Sequence, residues 1–287
     1  MSREPDSGAK DERGERLERG ERLQKFLAAR GFGSRREIEG WIRNKRVRVN
    51  GDVADLGARV AEGDVVEFDE ERVEVSADPT RSRVLLYNKR TGEICTRSDP
   101  EGRTTVFSRL PRLRSGRWVS VGRLDFNTSG ILLFTNDGAL AHRLMHPSSG
   151  IDREYAVRVD GTLDSEAIQR LLEGVDLDDG PARFTDVQYY AGQGRNQWYH
   201  AVVMEGRRRE VRRLFEAVGA RVTRLKRVRF GPVILPSRLR TGSFLELDAE
   251  EVRALYRLAG LSEPTQAGPQ RARERRQSVL LPYPGLD

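Results

Sequence analysis

The chain has 287 residues, 37% hydrophobic and 33% charged, and Lys plus Arg outnumber Asp plus Glu by 51 to 44, a formal charge of +7. That length supports one large domain and a small one, and the basic excess favours a polyanionic partner, nucleic acid ahead of an anionic membrane surface. A single cysteine, Cys95, excludes an internal disulfide and a cysteine-rich metal site, and three histidines argue against a zinc enzyme.

No apolar run is long enough to span a bilayer, and Met1-Ser2-Arg3-Glu4-Pro5 does not open a signal peptide, so a cytoplasmic protein is expected. Residues 1–20 are charged with few apolar positions and are expected to form a disordered arm. In 21–77 a small domain begins. Leu23, Phe26 and Leu27 recur at helical spacing, and Gly31 suits the end of that helix. Ser34 reads as the N-cap of a second helix whose apolar stripe is Ile38, Trp41 and Ile42. Arg46–Asn50 alternates as a strand into an Asn50-Gly51 turn, and Val65–Phe68 is a second strand. Arg35, Arg36, Arg43, Lys45 and Arg46 crowd together here, either as a solvated face or as a phosphate-binding one. Residues 78–82, with Pro79, read as a linker.

Residues 83–260 form the large domain. Strands are predicted at Val84–Tyr87, Trp118–Val121, Ile131–Phe134, Glu154–Val159, Gln197–Met204 and Val228–Phe230, with helices at Ala139–Met145, Ser165–Glu173 and Arg209–Val218. Many short strands with a few helices between them indicate an α+β protein, not a regular βαβ one. Residues 261–287 contain four prolines and the cluster Arg271–Arg276, and are expected to be a disordered basic tail.

Two segments carry candidate chemistry. In Gly122-Arg123-Leu124-Asp125-Phe126-Asn127-Thr128-Ser129-Gly130 a polar turn lies between two apolar strands. If strand geometry persists, Arg123 and Asp125 share a face, and an arginine neighbour favours an ionised carboxylate. Such a group can act as a nucleophile or stabilise a cationic sugar centre, yet the same spacing also suits a plain structural ion pair. Asp137 reads as a helix cap or turn residue, and His146-Pro147 as a turn. Trp118, Trp198 and Tyr199 read as core or RNA-surface residues. The second segment, Gly206–Gly219, is an amphipathic helix with Val211, Leu214, Phe215 and Val218 on its buried stripe. Arg207, Arg208 and Arg209 crowd its N-terminus against the helix dipole, which calls for an offsetting RNA phosphate, a buried carboxylate, or both.

Residues 21–69, through Arg22–Leu27, Gly33-Ser34-Arg35-Arg36 and Val47-Arg48-Val49-Asn50-Gly51, resemble an S4 RNA-binding domain. In that family the basic helix pair docks on structured RNA. The segments Val121–Gly138, Arg153–Val159 and Glu205–Gly219 resemble the three signatures of the RsuA-like pseudouridine synthases, a family named for a synthase of small-subunit ribosomal RNA. The resemblance spans about residues 21–260. It implies a small S4-type α/β domain followed by a pseudouridine synthase domain built on a mixed, mainly antiparallel sheet with flanking helices. It implies a cofactor-free, metal-free isomerase that converts a uridine of ribosomal RNA to pseudouridine. The nearest likeness within the family is to enzymes of large-subunit (23S) RNA that work near the peptidyl-transferase region. That RNA could be met as an intermediate in assembly of the large subunit, and nothing demands more than a monomer.

By the same resemblance Asp125 is the catalytic aspartate, and Arg123 helps hold the flipped nucleotide. Tyr155, otherwise an ordinary core aromatic in an alternating strand, packs on the target base. Arg212 pairs with the catalytic carboxylate. The relatives usually have Asn where this chain has Arg208, which adds positive charge near the site. A uridine stacked in RNA must be extruded first, at a few kcal/mol, and arginine and aromatic contacts offset that cost. A hydrolytic glycosidase would need a second carboxylate to activate water. A reading of another class is a non-catalytic S4-type RNA-binding assembly factor.

Overall fold

A computed structural model describes residues 20–69, 71–75, 81–114, 116–269, 277–284 and 286. The chain divides into two compact units, residues 1–80 with 113–117, and residues 81–112 with 118–287.

In the first unit β1 (Glu21–Arg22) leads into α1 (Leu23–Ala29), and α2 (Arg35–Arg43) follows after Gly31 turns the chain at φ 94°. The start of α2 is fixed by a reciprocal cap. The Ser34 hydroxyl accepts from the Glu37 N–H at 3.2 Å, and the Glu37 carboxylate accepts from the Ser34 N–H at 2.6 Å. Next come β2 (Val47–Val49), β3 (Asp52–Val53), β4 (Arg59–Val60), β5 (Val65–Phe68) and β6 (Glu71–Glu74). β2 and β3 are joined at Asn50 and Gly51, with φ 54° and 87°, which is the left-handed pair that a tight hairpin demands. Leu23, Phe26, Leu27, Ile38, Ile42, Val47 and Val66 close into one small core. The strand predicted from Arg46 begins one residue later, because Lys45 takes a left-handed turn at φ 56°.

The second unit is built on a nine-stranded sheet. Its members are β7 (Val84–Lys89), β8 (Val119–Val121), β9 (Ser129–Thr135), β10 (Arg153–Asp160), β13 (Asp186–Gln193), β14 (Asn196–Val203), β15 (Arg221–Phe230), β16 (Val233–Ile234) and β17 (Phe244–Glu246), while β11 (Val175–Leu177) and β12 (Gly180–Ala182) make a separate hairpin. The order is β13-β14-β10-β15-β9-β7-β17, and β9 with β15 is the one parallel pair in a sheet otherwise antiparallel among the described residues. Helices α3 (Gly138–Met145), α4 (Ser165–Glu173), α5 (Glu210–Ala217) and α6 (Ala249–Leu258) flank it. α3 and α6 pack Leu140, Leu144, Val252 and Leu255 on Val84, Leu86, Ile131 and Leu133 of β7 and β9. On the other face, Tyr199 and Phe184 meet Phe215 of α5.

Three expectations need correction. The tail, expected to be disordered over 261–287, is packed where it is described. Ala267 is buried and bridges Ser82, Val279 is 1% exposed, and the Ile234 N–H donates to the Val279 carbonyl. The arm at 1–19 and the cluster Arg271–Arg276 lie outside the described residues. The linker expected at 78–82 ends before Ser82, whose buried hydroxyl shares a 2.8 Å hydrogen bond with Tyr256. Finally, the strand expected at 228–230 runs the full ten residues of β15, where Arg221, Arg224, Lys226 and Arg229, none of them buried, are interleaved with the buried Val222, Leu225, Arg227 and Phe230 across two register shifts against β10.

Candidate active site

The sheet opens a gap at β9. Its first residues pair with β15 (Lys226 with Ser129, Arg227 with Gly130), while its last three pair on the same edge with β8. The loop 122–128 fills that interval. Strand geometry does not persist into it, because β8 stops at Val121 and Gly122 turns the backbone at φ 80°. Sharing of a face by Arg123 and Asp125 therefore does not follow from strand period. Arg123 is exposed, and Asp125 is half-buried.

What fixes the loop is a residue that sequence reasoning passed over. Lys89 is 0% exposed, and its Nζ donates to the carbonyls of Arg90, Asp125 and Thr128 at 2.9, 3.1 and 2.9 Å. Burial pushes this ammonium below its ordinary value, and Cys95, Glu93 and Asp125 pull it back. The Leu124 N–H and carbonyl are also engaged, by Cys95 Sγ at 3.4 and 3.3 Å. Both backbone sides of Asp125 are thus held. Among the described residues its carboxylate has no hydrogen bond or ion pair.

Arg212 comes from α5 and is 7% exposed. The expected direct pairing with Asp125 is not what the side chain does. Its Nη1 donates to the Val222 carbonyl at 3.1 Å and its Nη2 to the Asn127 carbonyl at 3.0 Å, while its Nε is buried without a partner. The guanidinium spends its fork on backbone, tying α5, β15 and the loop together, and acts on Asp125 through space. Burial lowers its pKa, Arg209 lowers it further, and the Asp125 charge opposes both. Arginine stays protonated through such shifts, so a cation faces the carboxylate.

Tyr155 is 9% exposed on β10. Pairing places it opposite Arg227, Arg227 beside Gly130, and Gly130 opposite Lys89, so these four form one row across β10, β15, β9 and β7. Tyr155 therefore lies on the same sheet face as the lysine that holds Asp125. Gly130 makes the row possible. At φ 103° a Cβ there would stand 2.1 Å from the Arg227 carbonyl oxygen. Arg227 is itself buried, with Nε and Nη2 donating to the Ile131 carbonyl at 2.8 and 2.6 Å.

The arginines before α5 divide. Arg207 is committed to protein, donating to Glu205 at 2.5 Å and to the Gly180 and Pro181 carbonyls at 3.1 and 2.8 Å. Arg208 is exposed and has no ion-pair partner among the described residues, and Arg209 takes the left-handed N-cap position at φ 53°, 3.9 Å from Glu216. The offset that the crowding demands is supplied in part by carboxylates. Glu210, whose pKa burial raises, sits in the first turn and accepts from the Arg207 N–H at 3.1 Å, and Asp179 accepts from Arg213 at 2.7 and 2.9 Å. Elsewhere Asp137 caps α3, accepting from the Ala139 N–H at 2.7 Å, and His146 Nδ1 accepts from the Ser148 N–H at 3.2 Å. Trp118 and Tyr199 are buried, and Trp198 is half-exposed. In the first unit Arg35, Arg36 and Lys45 are exposed without acidic partners among the described residues, Arg43 is 3.9 Å from Glu39, and Arg46 pairs with Asp69 at 3.0 Å. No described helix is long and apolar enough to cross a membrane, and no cluster of metal-ligating side chains occurs among the described residues.

A pinned loop presenting a free carboxylate beside a buried guanidinium, on a mixed sheet after a small basic domain, matches two families. Residues 83–217 match the RNA pseudouridylate synthases and residues 21–66 the S4 domain. The chain belongs to the RNA pseudouridine synthase family. It is 53% identical over 245 residues to ribosomal large subunit pseudouridine synthase B of Yersinia pestis, covering 84% of this chain and 77% of that one. With the protein of the same name from Pseudomonas aeruginosa the identity is 59% over 241 residues, 83% of this chain, but the match spans only 62% of that relative's length. A crystal structure of a pseudouridylate synthase aligns with a TM-score of 0.56 and 26% identity, over 83% of this chain and 99% of the other.

Proposed function

We propose that the chain isomerises one uridine of large-subunit ribosomal RNA to pseudouridine, as an RsuA-like synthase working as a cytoplasmic monomer. The observation that carries this reading is the Asp125 carboxylate. Among the described residues it is unpaired, its backbone is pinned by Lys89 and Cys95, and it is coupled electrostatically to the buried Arg212, which holds the neighbouring Asn127 carbonyl. The similarity to large-subunit synthases supports the substrate.

The reaction needs the N-glycosidic bond broken, the uracil turned, and a carbon–carbon bond formed, with one proton leaving the base carbon and one taken up at the freed nitrogen. Asp125 either attacks the ribose carbon or removes a ribose proton to give a glycal. In both cases the carboxylate is the acting group, and the Arg212 charge is coupled to it through space. Tyr155 is assigned to the face of the extruded base and Arg123 to the nucleotide it leaves behind, where an exposed cation offsets the cost of flipping. Arg35, Arg36 and Lys45 are assigned to phosphate contacts through the S4 domain, with Arg43 and Arg46 contributing once their weak acidic partners exchange for phosphate. Arg208 and Arg209 extend the basic surface near the site, whereas Arg207 serves the fold. The substrate is assigned as RNA on its way into the large subunit, where the target uridine is still accessible.

The test is Asp125→Asn. Chemical mapping of pseudouridine in RNA incubated with the variant should show no product, while RNA affinity stays within about tenfold of the parent, because binding and chemistry rest on different groups. Activity retained in the variant would overturn the assignment.

A further inference from the structure

The sheet of the second unit carries helices unevenly. On β7 and β9, α3 and α6 bury the face that bears Ile131 and Leu133. The same face continues across β15, β10, β14 and β13, and there its outward side chains stay open among the described residues. Burial along β10 alternates without exception. Arg153, Tyr155, Val157 and Val159 are buried, and Glu154, Ala156, Arg158 and Asp160 are not. On β14, Tyr199, Ala201 and Val203 are buried, and Trp198, His200 and Val202 are not. An open face is ordinary for an antiparallel sheet. What this one carries is not.

Register fixes its layout. Arg158 lies between Trp198 on one side and Arg224 on the other, and Ala156 lies between His200 and Lys226. Tyr190 is the extra residue of a bulge in β13. It is 72% exposed, with its ring centroid 5.0 Å from that of His200. The platform is therefore aromatic on its β13–β14 half and cationic on its β10–β15 half, with the small Ala156 making a shallow floor between them. Directly opposed side chains stand about 5 Å apart, so a ring and a cation lie within one nucleotide of each other.

Two acids of this face are spent on cations, and a third, Asp186 at its β13 edge, accepts from the Gln188 amide at 3.0 Å. Glu154 accepts from His200 at 2.6 Å and Arg229 at 2.8 Å, and Asp160 accepts from Arg195 at 2.7 Å. Arg158, Arg224 and Lys226 have no carboxylate partner among the described residues. Arg158 Nε donates only to the Thr223 hydroxyl, at 2.9 Å. Unneutralised cations set beside solvent-accessible rings are what single-stranded or looped RNA binds, the cations taking phosphates and the rings stacking bases. An acidic peptide would use the cations and leave the rings idle.

We propose that this uncovered face is a second RNA-contacting surface, on the side of the sheet opposite Tyr155, which grips a segment of the substrate RNA distant from the reacting uridine. The inference rests on the proposed RNA substrate but not on the chemistry at Asp125. Full-length protein is compared with two double variants, Arg224→Gln/Lys226→Gln and Tyr190→Ala/Trp198→Ala, after melting curves have shown that each is folded. The probes are a short stem-loop carrying the target uridine and a domain-length fragment of large-subunit RNA.

For the long RNA, each double variant should weaken binding about tenfold at physiological salt, and the charge variant should lower the slope of log affinity against log salt by about two. On the stem-loop, affinity and single-turnover rate should match the parent. Unchanged affinity for the long RNA in both variants overturns the proposal. So does an equal loss on both RNAs, which would place the face at the reacting uridine, and so does a loss confined to the charge variant and shared with a polyglutamate competitor, which would point to an acidic peptide. If the parent binds both RNAs but forms no pseudouridine, the proposed function fails while the binding comparison still decides this surface.

Discussion

Replacing Lys89 with methionine tests whether the loop is held as described. The substitution keeps most of the buried stem and removes one ammonium, leaving the carbonyls of Arg90, Asp125 and Thr128 without their donor. A buried carbonyl stripped of its partner costs about 1–3 kcal/mol. The Arg90 carbonyl can be rehydrated at the loop edge and the Asp125 carbonyl keeps the Thr128 N–H at 3.0 Å, so one loss, at Thr128, counts fully. Against it stands relief of the desolvation penalty of a buried charge, several kcal/mol in size, which these same three hydrogen bonds now offset. The balance is a net loss of about 1–2 kcal/mol. At roughly 2–4 °C per kcal/mol for a domain of this size, the melting temperature should fall by about 2–8 °C. The larger effect belongs to turnover. With Asp125 no longer anchored, a displacement of about 1 Å is worth about a hundredfold in rate, while RNA affinity, carried by exposed cations, should hold. Differential scanning calorimetry and single-turnover pseudouridine mapping read the two effects separately. A variant melting within a degree of the parent, with a rate within twofold, would refute the claim that this lysine positions the loop.

Gly130→Ala should destabilise by more than about 3 kcal/mol in denaturant titration, since its Cβ would stand 2.1 Å from the Arg227 oxygen; Gly194→Ala, also at positive φ but with open space around it, should cost much less, and equal losses would show that backbone strain alone is at work. Arg212→Lys keeps the charge but cannot span the Val222 and Asn127 carbonyls together, so turnover should drop about tenfold; parental activity would mean that the charge suffices. Glu154 is raised by its burial but carried net below its ordinary value by the His200 and Arg229 hydrogen bonds. A depressed carboxyl stabilises the fold above its unfolded pKa and loses that contribution as pH falls through the folded one. Glu154→Gln should therefore melt lower than the parent at neutral pH, with the gap closing below about pH 4.5; a gap independent of pH counts against the network.

Features written into short stretches were readable in advance. Ser34 with Glu37, and Asn50 with Gly51, each complete a cap or a turn within four residues, so the local chemistry states the geometry. Asp125 was readable through family likeness, whereas the strand-period argument for it failed at Gly122, where a left-handed turn resets the direction of the side chains. Lys89 escaped because it closes an apolar strand and is given its meaning by carbonyls 36 and 39 residues away. The role of Arg212 was half visible. Its helix and burial follow from the amphipathic pattern, but a guanidinium that uses its fork on backbone carbonyls instead of the nearby acid is a tertiary choice. α6 was missed although Asp248 and Glu251 form a reciprocal cap ahead of Val252 and Leu255, a signal present in the sequence. The pairing of Leu280 with Val233 leaves no local trace, so the tail looked unstructured.

The parallel contact between β9 and β15 sets an order of events during synthesis. Gly130 lies against Arg227, nearly a hundred residues downstream, and Arg212 reaches the Asn127 carbonyl across a span of 85. Until the ribosome has released the strand containing Arg227, the segment bearing Asp125 has no neighbour on that side. Contacts so remote along the chain form slowly and late. A nascent chain that stalls short of β15 therefore carries Asp125 but cannot assemble the strand and guanidinium that surround its loop in the finished fold.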